Sequence, residues 1–396
     1  MGNSETTMKV LCISPFDSDA PTVINRTLPL LQEATKHGCV IDVVFPVQGN
    51  DNFYRRFDKL GFIFLNPSTH TREPSHFISS LGRSLRFLAN PSMGKVFCPL
   101  GGTNDLEITL RSITRIPNRE YDIIYVSKPW LRAVGPGLLL ARKWKIPIVL
   151  DLDDYDIWHN SYLLRKFQGL VVSSHELKSL FKNYNIAYIP NSTDLTFFDP
   201  KKYETRSDQP CIIVWSGMMY ESLKLGVVLK AFKLIKNDVK LMFMGRGSAR
   251  QKLILYSKWL GLEDRVVFRE WTDRASVPKS LAKASIGVIH TANTLYERCK
   301  CPGKLFEYMA MQIPIVATSV GEPSHVVSEA KCGILVPPED SYAMAEAMKY
   351  LVQNPEIRYE MGVKGREYLI RKQNYGHLGI HLKRFLEQTA NLNETG

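Results

Sequence analysis

The sequence contains no long apolar run. Its apolar stretches stay short of the roughly 20 residues that a membrane-spanning helix requires. The opening stretch, MGNSETTMKV, also lacks the hydrophobic centre of a signal peptide. We therefore expect a cytoplasmic protein. With 44% apolar and 23% charged residues, the chain has the composition of a globular protein, and 396 residues suffice for two domains.

Cysteine is scarce, and its count is odd. The seven cysteines lie mostly inside apolar segments, which is typical of reduced thiols rather than of a disulfide framework. Cys299 and Cys301 have no second Cys or His pair at zinc-binding spacing. We therefore predict no metal site. The seven are Cys12, Cys39, Cys98, Cys211, Cys299, Cys301 and Cys332.

Acidic residues are too few to balance the basic ones, and the net charge is +12. The basic residues spread over both halves and no nucleic-acid-binding motif is present, so no nucleic-acid partner is predicted. The segment from Phe53 to Phe97 mixes basic and aromatic residues, and apolar side chains recur at near-helical spacing over Phe77–Leu88. Such a helix fits contact with an anionic membrane. It also fits a helix that packs on its own domain with its arginines in solvent, and both interpretations stay open.

Apolar runs typical of buried parallel strands alternate with helical segments along the chain. The pattern occurs on both sides of a hydrophilic linker, Asp199–Gln209, and one intervening helix is predicted over Leu138–Trp144. Alternation of this kind predicts two doubly wound α/β domains. The predicted strands are Lys9–Ser14, Val40–Phe45, Asp122–Ser127, Ile146–Leu152, Leu170–Ser173, Ala187–Ile189, Cys211–Ser216, Lys240–Met244, Val266–Arg269, Ile313–Ala317 and Cys332–Val336.

The most informative stretch is Cys301–Pro338. Its residues 302–308, PGKLFEY, place a helix N-terminus, Lys304 and Glu307 within two turns. A helix N-terminus and a lysine attract phosphate, and a glutamate accepts hydrogen bonds from two sugar hydroxyls. The combination predicts a site for a phosphorylated sugar. The alternative is an exposed helical ion pair of small energetic effect.

This stretch resembles the donor-binding signature of family 4 glycosyltransferases, which are retaining, nucleotide-sugar-dependent enzymes of the GT-B fold. Further similarities, in the family's order, lie at Ile189–Pro200, Ile213–Phe232 and Phe243–Leu253. The resemblance implies two Rossmann-like domains facing a cleft, with the last helix, Asn374–Gln388, returning to the first domain. The implied boundaries are 1–204 plus 374–396 for the N-terminal, acceptor-side domain and 205–373 for the donor-binding domain.

Two positions depart from the family pattern. Met218 stands where the family usually has an arginine that holds the diphosphate, while Lys224 occupies the family's lysine position. Cys299 stands where the family has the first of two glutamates, the second being Glu307. Lys304 can take over the charge of the missing arginine because it lies in the first turn of the same helix as Glu307.

A second constellation is the acidic cluster that follows the strand Ile146–Leu152. It resembles the Asp-x-Asp of haloacid dehalogenase phosphatases, where the first Asp is the nucleophile, and the metal-binding motif of GT-A glycosyltransferases. In the family 4 register, Asp153 takes the place of the usual active-site histidine. A helix-capping or solvent-facing cluster is the remaining alternative. The cluster is Asp151, Asp153, Asp154 and Asp156, with Lys128 or Arg132 as possible counter-charges.

These residues define the predicted sites. The catalytic residues are Asp153, Lys224, Lys304 and Glu307. The donor-binding residues are Gly217, Lys224, Gly245, Arg246, Gly303, Lys304, Leu305 and Glu307, and the acceptor-side residues are Asp151, Asp154 and Lys128.

The predicted function is transfer of a sugar from a nucleoside-diphosphate donor, carrying uracil or guanine, to a glycan or lipid-linked acceptor in cell-surface polysaccharide synthesis. We expect retention at the anomeric carbon, no cofactor and no metal. The expected location is the cytoplasm, with peripheral contact to an anionic membrane. The alternatives are a non-catalytic nucleotide- or glycan-binding subunit and a nucleotide-sugar epimerase or hydrolase on the same fold.

Overall fold

The computed structural model describes residues 7–16, 20, 22–45, 57–64, 116, 120–155, 161–203, 210–235, 238–270 and 274–392. The chain divides into two compact units. The first unit comprises residues 1–172, 180–189 and 375–396, and the second comprises residues 173–179 and 190–374. Most of the basic, aromatic segment Phe53–Phe97 lies outside the described residues, as do Cys98 and Asp156, so the predictions on them stay predictions.

In the described part of the first unit, seven parallel strands form one sheet in the order β3-β2-β1-β4-β5-β6-β7. Strands β4, β5 and β6 are buried along their whole lengths, as expected where helices cover both faces of a parallel sheet. The strands are β1 (Met8–Ile13), β2 (Cys39–Phe45), β3 (Gly61–Phe64), β4 (Ile123–Ser127), β5 (Ile148–Leu152), β6 (Gly169–Val172) and β7 (Ile186–Tyr188). The helices are α1 (Leu28–Lys36), α2 (Leu131–Trp144), α3 (Ser161–Leu164) and the C-terminal α13 (Tyr375–Leu392).

The C-terminal helix α13 packs on the first unit, as the resemblance implied. Leu382 and Leu386 are fully buried in that unit's core. Gly379 lies so close to α1 that an added Cβ would stand 2.5 Å from the Cβ of Glu33. The apolar face of α13 therefore completes the core of a unit whose first strand lies more than 360 residues earlier in the chain.

In the described part of the second unit, six parallel strands are ordered β10-β9-β8-β11-β12-β13. They are β8 (Cys211–Ser216), β9 (Val239–Met244), β10 (Val266–Arg269), β11 (Ile286–Ile289), β12 (Ile315–Thr318) and β13 (Gly333–Val336). The helices are α4 (His175–Leu180, at the division between units), α5 (Gly226–Lys233), α6 (Arg250–Trp259), α7 (Ser276–Leu281), α8 (Leu295–Arg298), α9 (Gly303–Ala310), α10 (Gly321–Ala330), α11 (Ser341–Gln353) and α12 (Pro355–Lys372). Strand order reverses between β8 and β11, and ligands of such sheets bind at the carboxyl ends of the strands at that point.

Two layers of buried apolar side chains pack helices against the second sheet. Val228 of α5 and Met348 of α11 are buried in one layer. Leu305 and Phe306 of α9 are buried in the other, together with Ile315 of β12. Helices on both faces explain why most strand residues of this sheet are apolar and buried.

The division between the units lies earlier than the predicted boundary after residue 204. The second unit begins its long segment at Pro190. The reason is that Phe198 is fully buried in the second unit's core, and Arg366 donates a hydrogen bond of 2.9 Å to its carbonyl oxygen. The fold class is confirmed as two parallel α/β sheets with the C-terminal helix on the first unit. None of the described helices is both long and apolar enough to cross a membrane.

Candidate functional site

Two interlocked loops lie at the carboxyl edge of the second sheet. Gly217 follows β8 and Gly245 follows β9, and the Gly217 N–H donates to the Met244 carbonyl at 2.9 Å. Both glycines have positive φ values, +132° and +137°. A Cβ on Gly245 would collide with the Gly217 carbonyl oxygen. Glycine is therefore required here because the backbone is strained for L-residues and because the two loops touch.

Lys304, in the first turn of α9, reaches across to the end of β8. Its Nζ lies 3.7 Å from the ring centroid of Trp215 and would be 2.9 Å from a Cβ placed on Gly217. Burial lowers the pKa of Lys304 to about 7, opposed by the nearby Glu307 carboxylate. A lysine held in this way gains most from an anion, because an anion restores the charge that desolvation disfavours.

Tyr308 anchors α9 to the strand end. Its hydroxyl accepts a hydrogen bond from the Ser216 backbone N–H at 2.8 Å and lies 3.0 Å from the Ser216 hydroxyl. Its ring packs on Gly287 of β11, where an added Cβ would stand 2.5 Å from the ring. The helix N-terminus at Gly303 is thereby held near the point where the strand order reverses. Leu305, predicted as a donor-binding residue, has its side chain in the core, and its N–H bonds to the Pro302 carbonyl.

Glu307 lies one turn after Lys304, and its side chain is 17% exposed. Burial raises the pKa of Glu307, and the Arg274 guanidinium, 3.7 Å away, opposes the rise. Arg274 also lies over the rings of Phe197 and Phe198. The sequence offered no signal for Arg274, because it comes from a distant segment with no recognisable motif.

The other predicted donor residues lie further out. The Lys224 Nζ forms an exposed ion pair with Glu339 at 2.6 Å, and Lys224 is half-exposed. Arg246 is exposed, while its carbonyl accepts from the Met219 N–H at 2.7 Å. Lys224 is therefore paired with a carboxylate, whereas Lys304 is buried beside Gly217.

Cys299, which stands where the family has the first of its two glutamates, lies inside the protein. Cys299 is fully buried, and its carbonyl accepts a hydrogen bond of 2.7 Å from the Ser174 hydroxyl. Two residues earlier, Glu297 is also buried and binds the Lys300 Nζ at 2.8 Å. The Thr294 side chain caps α8 by accepting from the Glu297 N–H. The Thr-x-x-Glu spacing of a capping box was the sequence signal for this arrangement, and the prediction missed it.

In the first unit, Asp151 lies in a buried ion pair. Its carboxylate accepts from Arg26 at 2.7 and 3.1 Å and from the Tyr125 hydroxyl at 2.6 Å. Arg26 also donates to the Ile189 carbonyl at 3.1 Å. Both carboxylate oxygens are thus engaged, which fits a structural role better than the predicted acceptor-side role or the phosphatase nucleophile.

Asp153 and Asp154 share one lysine. The Lys128 Nζ contacts a carboxylate oxygen of Asp153 and lies 2.7 Å from an oxygen of Asp154. Lys128 itself is buried and has a φ of +80°, which is unusual for a non-glycine residue. Burial raises the pKa of Asp153 to about 6, against the opposing effect of Lys128. The predicted trio of Asp153, Asp154 and Lys128 is therefore brought together at the ends of β4 and β5.

Asp151→Asn should destabilise the first unit by about 3–5 kcal/mol, because it leaves the buried Arg26 without a counter-charge. Urea unfolding monitored by circular dichroism measures the change. The matched control is Asp154→Asn, whose partly exposed carboxylate should contribute about 1 kcal/mol or less. Equal stability of the Asp151 variant and the wild type would contradict a structural role.

Among the residues that the structure describes, no group of three or more His, Cys, Asp or Glu side chains is placed to hold a metal ion. The expectation of metal independence remains a prediction.

Comparison with known proteins gives a family for part of the chain. Residues 210–354 match the family described as glycosyl transferases group 1. The alpha-D-kanosaminyltransferase of Streptomyces kanamyceticus is 29% identical over 124 residues, 31% of either chain. The phosphatidyl-myo-inositol mannosyltransferase of Mycobacterium leprae (strain TN) is 30% identical over 154 residues, 39% of either chain. The chain thus spans between three and four tenths of these two relatives.

Solved structures resemble the whole chain. A sucrose-phosphate synthase from Thermosynechococcus elongatus has a TM-score of 0.70 at 15% identity, covering 97% of this chain and 100% of that one. Anabaena Alr3699/HepE in complex with UDP and glucose has a TM-score of 0.69 at 15% identity, covering 96% and 100%. The resemblance predicted from the sequence is confirmed in residues 210–354, which contain Gly217, Lys304 and Glu307, and the fold is confirmed over nearly the whole chain.

Proposed function

From the membership of residues 210–354 in glycosyl transferases group 1, we propose that the protein is a glycosyltransferase that moves a sugar from a nucleoside-diphosphate donor to a glycan or lipid-linked acceptor. The observation that carries this proposal is the position of Lys304. Its ammonium group lies over Gly217 at the end of β8, beside the N-terminus of α9 and the reversal of strand order.

Departure of the diphosphate is the main catalytic demand of this reaction. Breaking the bond between sugar and diphosphate leaves a leaving group whose growing negative charge must be stabilised in the transition state. Lys304 and the N-terminal N–H groups of α9 supply positive charge there. Glu307 would accept hydrogen bonds from the ribose hydroxyls, so that one helix binds both the nucleoside and the leaving group. Retention at the anomeric carbon and independence of metal belong to the proposal.

The donor base and the acceptor are proposed from the neighbours. Anabaena Alr3699/HepE was solved with UDP, which supports a uracil nucleotide, and guanine is the second candidate. The relative from Mycobacterium leprae is named for a phosphatidylinositol acceptor, which supports a lipid-linked acceptor. Contact with the cytoplasmic face of a membrane belongs to the proposal. The basic segment Phe53–Phe97 would supply the charge for that contact.

Asp153 would orient the acceptor or bind a hydroxyl of the donor sugar. A buried carboxylate with a pKa near 6 can hold a hydroxyl or take its proton near neutral pH. Asp153→Asn should lower turnover about 100-fold or more while leaving donor affinity within about threefold, because the change removes a charge and not a contact surface. Release of nucleoside diphosphate measures turnover, with water or an added lipid extract as the acceptor.

Asp154→Asn is the control, since Asp154 is a third exposed and pairs with the same Lys128. Its turnover should stay within about tenfold of the wild type. Wild-type turnover in Asp153→Asn would contradict a role for Asp153 in the reaction.

A non-catalytic nucleotide-binding subunit is the second candidate. It is favoured by Met218, which cannot supply the charge of the family's arginine, and by the burial of Cys299. Tight donor binding without release of nucleoside diphosphate, in the presence of glycan and lipid extracts, would favour this candidate over the enzyme.

A further inference from the structure

His290 lies at a position that the sequence analysis did not assign. It follows the last residue of β11, which is the strand next to β8 where the strand order reverses. It is 3% exposed. The adjoining Thr291 N–H donates to the Thr318 hydroxyl at 2.8 Å, which fixes the backbone beside the end of β12. The imidazole is therefore held rigidly at the edge of the sheet where a ligand is expected.

One ring nitrogen of His290 forms a hydrogen bond within the protein. Nδ1 lies 2.8 Å from the Leu223 carbonyl oxygen, and a carbonyl can only accept, so Nδ1 carries the hydrogen. Burial lowers the pKa of His290, so the ring is neutral near pH 7. Nε2 therefore presents a lone pair, and it can only accept a hydrogen bond.

That lone pair has no partner among the described residues. Nε2 has less than 1 Å² of exposed surface and makes no hydrogen bond. Buried polar atoms in folded proteins are nearly always satisfied, by protein, by water or by a ligand. Leu223, which fixes the ring, directly precedes Lys224. The ring that carries the unsatisfied acceptor is thus bonded to the backbone directly before Lys224, a residue proposed to bind the diphosphate, and it feels the charge of that lysine.

The chemistry of Nε2 selects the group that can satisfy it. Phosphate oxygens are themselves acceptors, so a neutral imidazole gains nothing from them. A hydroxyl group donates, and nucleotide sugars carry hydroxyls on both the ribose and the transferred sugar. Glu307 is already proposed to hold the ribose from α9. The hydroxyls left for His290 are those of the sugar beyond the diphosphate.

We propose that His290 Nε2 accepts a hydrogen bond from a hydroxyl of the transferred sugar and so discriminates the nucleotide sugar from the free nucleoside diphosphate. This inference rests on the proposed function, because it requires the donor to bind at the same edge of the sheet. His290 is then a specificity residue of the donor site, joined to Lys224 through the Leu223 carbonyl.

Two substitutions separate the two ring nitrogens. His290→Asn keeps a donor near the position of Nδ1, so the bond to Leu223 is retained, but it has no acceptor at the position of Nε2. His290→Gln places an amide oxygen near Nε2. Calorimetric titrations compare UDP with UDP-glucose, UDP-galactose and UDP-N-acetylglucosamine, and GDP with GDP-mannose and GDP-glucose. Thermal unfolding of each variant checks that it is folded.

We expect His290→Asn to weaken the binding of the preferred nucleotide sugar about fivefold to tenfold, the effect of one lost neutral hydrogen bond. The affinity for the matching free diphosphate should stay unchanged, and His290→Gln should bind the nucleotide sugar within about twofold of the wild type. Equal weakening of sugar conjugate and free diphosphate would overturn the proposal in favour of a structural or ribose contact. Unchanged affinity of His290→Asn for both the nucleotide sugar and the free diphosphate would mean that a water molecule satisfies Nε2, and would also overturn the proposal.

Failure of the proposed function is distinguishable from failure of this inference. Wild-type protein that binds no nucleotide of the panel contradicts both. Wild-type protein that binds a nucleotide sugar with the same affinity as His290→Asn contradicts only the role of His290.

Discussion

Glu307→Ala should weaken donor binding about 100-fold. Glu307 would accept two hydrogen bonds from the ribose hydroxyls, and hydrogen bonds to a charged group contribute about 1.5–3 kcal/mol each. Two such bonds at the lower value contribute about 3 kcal/mol, which corresponds to a factor of about 100 or slightly more. Because the lost contacts are to the ribose, the variant should lose affinity for the free nucleoside as well as for its diphosphate. Isothermal titration of uridine, UDP and a UDP-sugar, or of the guanosine series, measures both.

Glu346→Ala is the matched control for this change. Glu346 is also a helical glutamate in the second unit, but it is 74% exposed and pairs with the neighbouring Lys349. Its removal should leave donor affinity unchanged. If Glu307→Ala retains wild-type affinity for the nucleoside, the ribose is bound elsewhere and the site is misplaced.

Lys304→Met should weaken the binding of nucleotide sugars about 30-fold to 100-fold without changing the affinity for the nucleoside. The reason is that Lys304 would contact the diphosphate and not the ribose, and the methionine would keep the packing against Trp215. Lys224→Met is the comparison, because Lys224 is half-exposed and already paired with Glu339. Its effect should be several-fold smaller. A larger loss of nucleotide-sugar affinity in Lys224→Met than in Lys304→Met would contradict the greater importance proposed for Lys304.

The same lysine predicts a pH dependence with a definite sign. Burial lowers the pKa of Lys304 to about 7 in the free protein, and a diphosphate bound beside it would raise that pKa. Above pH 7 the donor must therefore bind together with a proton, so affinity falls as pH rises. The decline reaches at most about tenfold per pH unit, or about 100-fold between pH 7 and 9. A nucleotide sugar is the right probe because its phosphates do not titrate in this range, and the Lys304→Met profile should be flat.

The contribution of Lys304 to the free energy of unfolding changes with pH in the opposite direction to donor affinity. The folded-state pKa of Lys304 lies below the unfolded value of about 10.4. The unfolded chain thus binds more protons between these values, and the contribution of Lys304 to stability rises with pH from about 7 to 10. Donor binding and stability of the free protein are therefore expected to move in opposite directions with pH.

The fold was predictable because its strands are continuous apolar runs. β4 and β8 read as buried strands from their own residues, since a parallel sheet covered on both faces leaves no polar alternation. The prediction was less accurate where packing overrides local preference. The helix expected over Leu138–Trp144 begins seven residues earlier, at Leu131, and continues through Pro136. The lack of a side chain at Gly137 lets α2 pack closely on β4. A Cβ at this position would stand 2.8 Å from the Val126 side chain.

The candidate site was predictable only where one local segment forms it. Lys304 and Glu307 lie on one helix turn after a recognisable N-terminus, so their proximity followed from the sequence. Arg274 and His290 depend on how separate loops come together at the edge of the sheet. His290 did carry a weak signal, since it is a polar residue directly after an apolar strand. Cys299 was read as a gap in the site because only packing shows that its side chain faces the core.

The most direct test of the proposed donor site is calorimetric titration of the wild-type protein and Lys304→Met with uridine, guanosine, their diphosphates and the corresponding nucleotide sugars, in EDTA at pH 6.5. One base series should bind the wild type with a dissociation constant in the micromolar range, and Lys304→Met should lose the diphosphates but keep the nucleoside. Absence of binding across both series, or equal affinities in the two proteins, would contradict the assignment of the donor site to the N-terminus of α9.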